Sequence, residues 1–181
     1  EPTIHHKKLV PLFKALRSKG LTCYLDSSSF FEFDRIRSLI DVTDKFLFDL
    51  KGEGVGLQTL CFDRKNQAGI VPQQVMPERL HIKNDKLERN LQNLAALLPL
   101  NKVEEVRLVF LKHFFNAEHL VGKVAQLLRN YPDVALKIIR VHSKGVRDEA
   151  GLSAHIPSVE ETNALSAYAR QCGINKVLTI L

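Results

Sequence analysis

The feature that most constrains this chain is the alternation of two hydrophobic periods along it. Five short runs, Leu21–Asp26, Lys45–Asp49, Val106–Leu111, Ala135–Val141 and Lys176–Leu181, are dense in aliphatic, β-branched and aromatic residues. Nearly continuous apolar runs of this length predict strands buried on both faces. Between them, apolar residues recur every third or fourth position. Leu9, Leu12, Phe13 and Leu16 share one helical face ahead of Gly20, and Leu87, Leu91, Leu94, Leu97 and Leu98 do the same within Asp85–Leu98. Leu120, Val124, Leu127 and Leu128 mark another helix, and a further one over about Phe31–Val42 bridges the first two strands. Asp85 with Glu88, and Ser158 with Glu161, have the spacing of a capping box, the second opening a helix that runs to Gly173. Such alternation predicts an α/β fold with a mostly parallel sheet and covering helices.

Composition narrows the function classes. The 181 residues carry 26 Lys and Arg against 20 Asp and Glu, a formal net charge of +6. The basic residues are spread over most segments and Trp is absent, so the excess describes a solvated surface and not a nucleic-acid footprint. Cys23, Cys61 and Cys172 are too sparse and too widely spaced for a disulfide framework or a local metal–sulfur site, which favours a reducing, cytoplasmic compartment. No apolar run approaches the roughly 18 residues of a membrane span. There is no GxSxG, P-loop or GxGxxG. The main interruption is Lys51–Asn84, with Gly52, Gly54, Gly56, Gly69, Pro72 and Pro77, and a connection of this length is expected to be functional or mobile.

In parallel α/β proteins, ligands bind beyond the carboxyl ends of the strands. The first strand ends in Asp26-Ser27-Ser28-Ser29 and the second in Asp49-Leu50-Lys51-Gly52. The third carries Arg107 inside an apolar run, and the fourth ends in His142-Ser143-Lys144-Gly145. Glu1-Pro2 precedes the first helix. Asp26 and Asp49 suit an ammonium group or a hard cation. Lys51, Arg107 and His142 neutralise a carboxylate or phosphate. A site with both signs favours a zwitterionic ligand. Each residue also has a structural reading: Asp26 as a helix cap, Lys51 as a solvated lysine. Arg107 is the exception, because a charge in a buried strand needs a partner. His5-His6, and His113 with His119 six positions on, lack the spacing of a ligand pair on one helical face and are expected to be exposed or locally bonded.

The ordered set Glu1-Pro2, Asp26-Ser27, Asp49-Leu50-Lys51, Arg107-x-Val109 and His142-x-x-Gly145 resembles the glycyl-radical-enzyme activating enzymes. These are radical S-adenosylmethionine (SAM) proteins, and the chain resembles their pyruvate formate-lyase activating type. The resemblance covers most of the chain outside roughly Gly52–Leu80, and Glu1-Pro2 is similar to the end of that family's GGEP motif. It implies a partial, open TIM-like barrel in one domain over residues 1–181, the C-terminal part of a radical SAM core. It also implies SAM as cofactor, with a [4Fe–4S] cluster on an upstream CxxxCxxC loop. The partners implied are a glycyl-radical enzyme as protein substrate and an electron donor such as flavodoxin or ferredoxin, with no nucleic acid and no membrane. By carry-over, Glu1 belongs at the methionine amino group. Lys51 and His142 contact SAM with Asp49 beside them, and Arg107 and Val109 line the pocket. Asp26, Ser27, Asp49 and the main chain of Leu47 match a monovalent-cation position.

Departures from the family pattern are equally specific. Lys112-His113-Phe114-Phe115 stands where a Pro-Gly turn is usual, Asp-Ser-Ser-Ser replaces Asp-Thr-Asn-Gly, and only Asn84 remains of a Thr-Gly loop. The leading expectation is a radical SAM activase whose 181-residue portion is inactive alone. The runner-up is an α/β-barrel enzyme using Asp49, Lys51 and His142 for acid–base or phosphate chemistry. A non-enzymatic interaction module on the same fold ranks last.

Overall fold

The computed structural model describes residues 1–53, 85–144 and 149–181. Among them, five parallel strands form one sheet in sequence order: β1 (Tyr24–Ser27), β2 (Lys45–Leu50), β3 (Val103–Phe110), β4 (Ala135–Arg140) and β5 (Val177–Ile180). The helices are α1 (His6–Arg17), α2 (Arg37–Val42), α3 (Asp85–Leu97), α4 (Ala117–Leu128), α5 (Glu149–Ser153) and α6 (Val159–Gln171). Parallel crossovers are overwhelmingly of one hand, so a sheet whose strands follow in sequence order collects its helices on one face. Among the described residues the other face carries half-buried side chains, the arrangement of an open, partial β/α barrel rather than a doubly wound sheet.

The strands show this asymmetry residue by residue. On β2, Phe46, Phe48 and Leu50 are wholly buried, while Lys45, Leu47 and Asp49 between them are only half-buried. On β3, Val106 and Leu108 face the core, and Glu105, Arg107 and Val109 the other side. The expectation of strands buried on both faces is therefore corrected: one face is apolar and helix-covered, the other carries charges. Leu39 and Ile40 of α2, Leu94 and Leu97 of α3, Leu120, Val121 and Val124 of α4, and Leu165 and Ala169 of α6 complete a single hydrophobic cluster with the buried strand residues.

Element boundaries follow identifiable local chemistry. Gly20, at φ 77°, closes the turn after α1, with the Leu21 amide donating to the Leu16 carbonyl. The sheet takes up the chain only at Tyr24, because Leu21 is half exposed. The helix expected over Phe31–Val42 is shorter, a 3-10 turn at Asp34–Ile36 running into α2. Phe31 is instead an anchor, buried with its ring 6.0 Å from that of Phe46. The capping box of α6 is present in full, Ser158 Oγ accepting from the Glu161 amide and Glu161 Oε2 from the Ser158 amide. The Asp85 side chain, half of the other expected box, and most of Lys51–Asn84 lie outside the described residues.

One buried cross-link fixes the exit of β1. Asn93 of α3, 4% exposed, donates from Nδ2 to the carbonyls of Ser29 (2.9 Å) and Phe31 (2.8 Å). Ser29 adopts φ 64°, a left-handed conformation that favours glycine, the residue usual here in the resembling pattern. Asn93→Ala leaves two carbonyls in this region without a donor. We expect it to cost about 2 kcal/mol in urea denaturation, against less than about 0.5 kcal/mol for exposed Gln92→Ala.

Candidate functional site

The carboxyl ends of β1 and β2, with the adjacent β3, bring the predicted charges together on the half-buried face. Register places Asp26 opposite Leu47, Leu47 opposite Glu105, Asp49 opposite Arg107, and Arg107 opposite Lys137. Side chains alternate along a strand, so these all rise from one side of the sheet. Arg107 is the hub. Its Nη2 donates to Asp26 Oδ2 at 2.9 Å, and its Nε lies 3.0 Å from Glu105 Oε1 and 3.7 Å from Asp49 Oδ1. The Nε–H is aligned on neither carboxylate and is a buried donor without a hydrogen bond. Lys137 Nζ closes the chain of charges on Glu105 at 2.6 Å. The residue whose charge most demanded partners thus has three.

Asp26 caps nothing. The next helical turn begins at Phe33, and Asp26 pairs with Arg107 instead. Lys51 Nζ is 3.5 Å from Asp49 Oδ2 and remains well exposed. Burial pushes the Asp49 carboxyl above its ordinary range, although Lys51 and Arg107 pull the other way. The turn that presents Lys51 is held from below. Gly52 has φ 127°, and a Cβ there would stand 2.8 Å from the Phe115 ring. Glu53, 5% exposed, accepts from His119 (3.0 Å) and pairs with Lys123 (3.5 Å), both on α4. His113 contacts His155, Nδ1 to Nδ1 at 3.2 Å, so both it and His119 are locally bonded.

Glu1 is committed within the chain. Oε1 accepts from the Thr3 amide (3.2 Å), the Thr3 hydroxyl (2.6 Å) and Ser27 Oγ (2.9 Å), and Oε2 from the Ser28 amide (2.9 Å) and hydroxyl. Burial opposes its ionisation, but the bonds from Ser28, Thr3 and Ser27 together outweigh it and hold the carboxyl below its usual value. Glu1 thereby pins the start of the chain to the end of β1. His142 stands exposed beyond β4 and makes no hydrogen bond or ion pair among the described residues. Among the described residues His142 bonds to neither Asp49 nor Lys51, which pair with each other. Val109 faces the same side as Arg107, in register with Ile139.

The chain matches no family model. It is 95% identical over 181 residues, all of its own length and 69% of the relative's, to a Haemophilus influenzae protein whose assigned name is glycyl-radical enzyme activating enzyme. This chain belongs to that family. A solved structure of similar fold is a domain of pyruvate-formate lyase-activating enzyme from Bacteroides vulgatus ATCC 8482. The activase fold here matches it with a TM-score of 0.67 over 99% of this chain and 93% of that one, at 15% identity, a likeness of fold.

Sequence reasoning missed Glu105 and Lys137. The signal was available: Glu105 stands two residues before Arg107 and so shares its face. It also missed Asn90 of the activase chain, 1% exposed, which donates to the Asp49 carbonyl at 3.5 Å while its Oδ1 has no partner among the described residues. No helix among the described residues is long and apolar enough to cross a membrane.

The raised carboxyl of Asp49 has a pH consequence. The folded chain holds that proton more tightly than the unfolded one, so this contribution to stability is fully present below the ordinary carboxyl value of 3.8 and is lost as pH rises through the higher folded value. Asp49→Asn is therefore expected to match or exceed the parent in stability at pH 7, the advantage disappearing below about pH 4 in denaturation curves across pH. A variant clearly less stable at neutral pH contradicts this assignment.

Proposed function

We propose that this chain supplies the strand-end half of a SAM site in a radical SAM activase that installs a glycyl radical on a partner glycyl-radical enzyme. The observation that carries the reading is the mixed-charge cluster formed by Asp26, Asp49 and Lys51 at the ends of β1 and β2 with Arg107 of the adjacent β3. The methionyl end of SAM is a zwitterion, and the donor set matches it. Exposed Lys51 and exposed His142 face a carboxylate, while Asp26 and Asp49 face an ammonium. Val109 and Ile139 offer an apolar wall beside them. Glu1, saturated by Thr3, Ser27 and Ser28, serves the site by locking the end of β1, in place of the direct amino-group contact that the resemblance implied.

SAM held by Lys51, Asp49 and the neighbouring strand ends would supply, together with a reduced [4Fe–4S] cluster, the radical chemistry that takes hydrogen from a partner's glycine. The described cysteines do not fit such a cluster. Buried Cys23 precedes β1 and Cys172 follows α6, both at the amino ends of strands, opposite the charged site. This chain's own work is then to grip and orient the zwitterion: Lys51 holds a carboxylate, Asp49 an ammonium, and the Arg107 hub keeps the strand ends in register. An electron donor of the flavodoxin or ferredoxin kind belongs to the same reading.

The test is equilibrium binding of SAM to the full-length, cluster-reconstituted protein. Lys51→Met removes one charge-assisted contact and is expected to raise the Kd about tenfold or more, with 5′-deoxyadenosine release falling in step at subsaturating SAM. An unchanged Kd overturns the assignment of Lys51.

A further inference from the structure

The same cluster bears on whether a metal ion belongs there. The resemblance puts a monovalent cation among Asp26, Ser27, Asp49 and the main chain of Leu47. These residues are neighbours, with Asp26 in register with Leu47, yet a positive charge already stands between the two acids. Arg107 Nη2 is 2.9 Å from Asp26, and its Nε is 3.7 Å from Asp49. Ser27 Oγ, 2% exposed, gives its proton to Glu1 and accepts the Ser29 amide, so it is occupied on two sides. Leu47 lies inside the ladder, between β1 and β3.

Charge balance points the same way. Asp26, Asp49 and Glu105 are matched one for one by Lys51, Arg107 and Lys137. An alkali ion added between Asp26 and Asp49 would sit within a few ångströms of the guanidinium and leave the cluster with a surplus positive charge. The aminocarboxylate end of SAM, an ammonium beside a carboxylate, adds no net charge among these side chains; the remaining positive charge of SAM is its sulfonium. The residues present therefore do not fit a resident metal ion.

We infer that Arg107 takes the place of that ion: its guanidinium is the built-in cation joining the ends of β1 and β2, and this chain forms its ligand site without an alkali metal. Guanidinium charge persists at any working pH, and its planar fork reaches two or three carboxylates at fixed angles. Rooted in β3, it also makes the spacing of Asp26 and Asp49 depend on a third strand, which a freely exchanging ion would not do.

The ligand half of this inference rests on the SAM reading, whereas the ion half does not, and the experiment separates them. Full-length protein is titrated with Tl⁺, followed by thallium NMR. SAM binding is measured in buffers whose cation is either K⁺ or tetramethylammonium. The native protein is expected to show no saturable Tl⁺ binding and a SAM Kd that agrees within about twofold between buffers. Arg107→Met is expected to bind SAM about tenfold more weakly in tetramethylammonium and to recover in K⁺. Should that variant fail to fold, Arg107→Lys, whose single ammonium cannot span both acids, is expected to show a smaller dependence of the same sign. Saturable Tl⁺ binding by the native protein that Asp26→Asn abolishes overturns the inference, as does a tenfold loss of SAM affinity on removing K⁺. If SAM fails to bind in either buffer, the SAM reading falls, and the Tl⁺ titration alone still decides whether Arg107 stands in for an ion.

Discussion

The ionic contact of Arg107 with Asp26, Asp49 and Glu105 is the constraint on which the rest of the site depends. A guanidinium in the middle of a β-sheet is tolerable only where carboxylates surround it. Three of them do, from β1, β2 and β3. The requirement acts outward as well. For Asp26 and Asp49 to reach one side chain, β1, β2 and β3 must be adjacent, parallel and held in their observed register, with every second residue on the half-buried face. The sequential strand order follows from the alternation of helix and strand. The charges then occupy the half-buried face of the strands, opposite the apolar one.

Around this hub the fold spends several buried polar contacts on positions rather than on bulk stability. Asn93 fixes the β1 exit, and Glu1 draws Ser27 and Ser28 against the start of the chain. Gly52 packed under Phe115, with Glu53 bound to α4, aims Lys51. Asp49 is held partly desolvated, which raises the cost of its charge. A carboxylate kept ionisable at such a cost is characteristic of a binding position.

Much of this was legible in the sequence. The strand ends at Asp26, Asp49 and Arg107 stood out because charges terminate or interrupt apolar runs, and the capping box at Ser158 was readable from spacing alone. The resemblance to activating enzymes, now joined by a 95% identical relative, rested on those same positions. What was not legible depends on neighbours far apart in the chain. Asp26 looked like a helix cap because its partner lies 81 residues away. The bonds from Ser27 and Ser28 to Glu1 were not legible either, because those residues lie 26 and 27 positions further along the chain. The apolar runs suggested strands buried on both faces, since half-buried Leu47, Val109 and Ile139 are apolar too although they share the charged side. Glu105 and Lys137 were overlooked for the same reason: their roles exist only once β3 lies beside β2 and β4.

The central claim is that this cluster recognises both charges of a zwitterion. The most direct measurement compares the affinities of full-length, reconstituted protein for S-adenosylhomocysteine and for methylthioadenosine, both with an uncharged thioether sulfur on adenosine, of which only the first carries the ammonium and carboxylate. Two charge-assisted contacts predict that methylthioadenosine binds about 100-fold more weakly, with Lys51→Met narrowing the gap. Equal affinity for the two compounds would contradict the account.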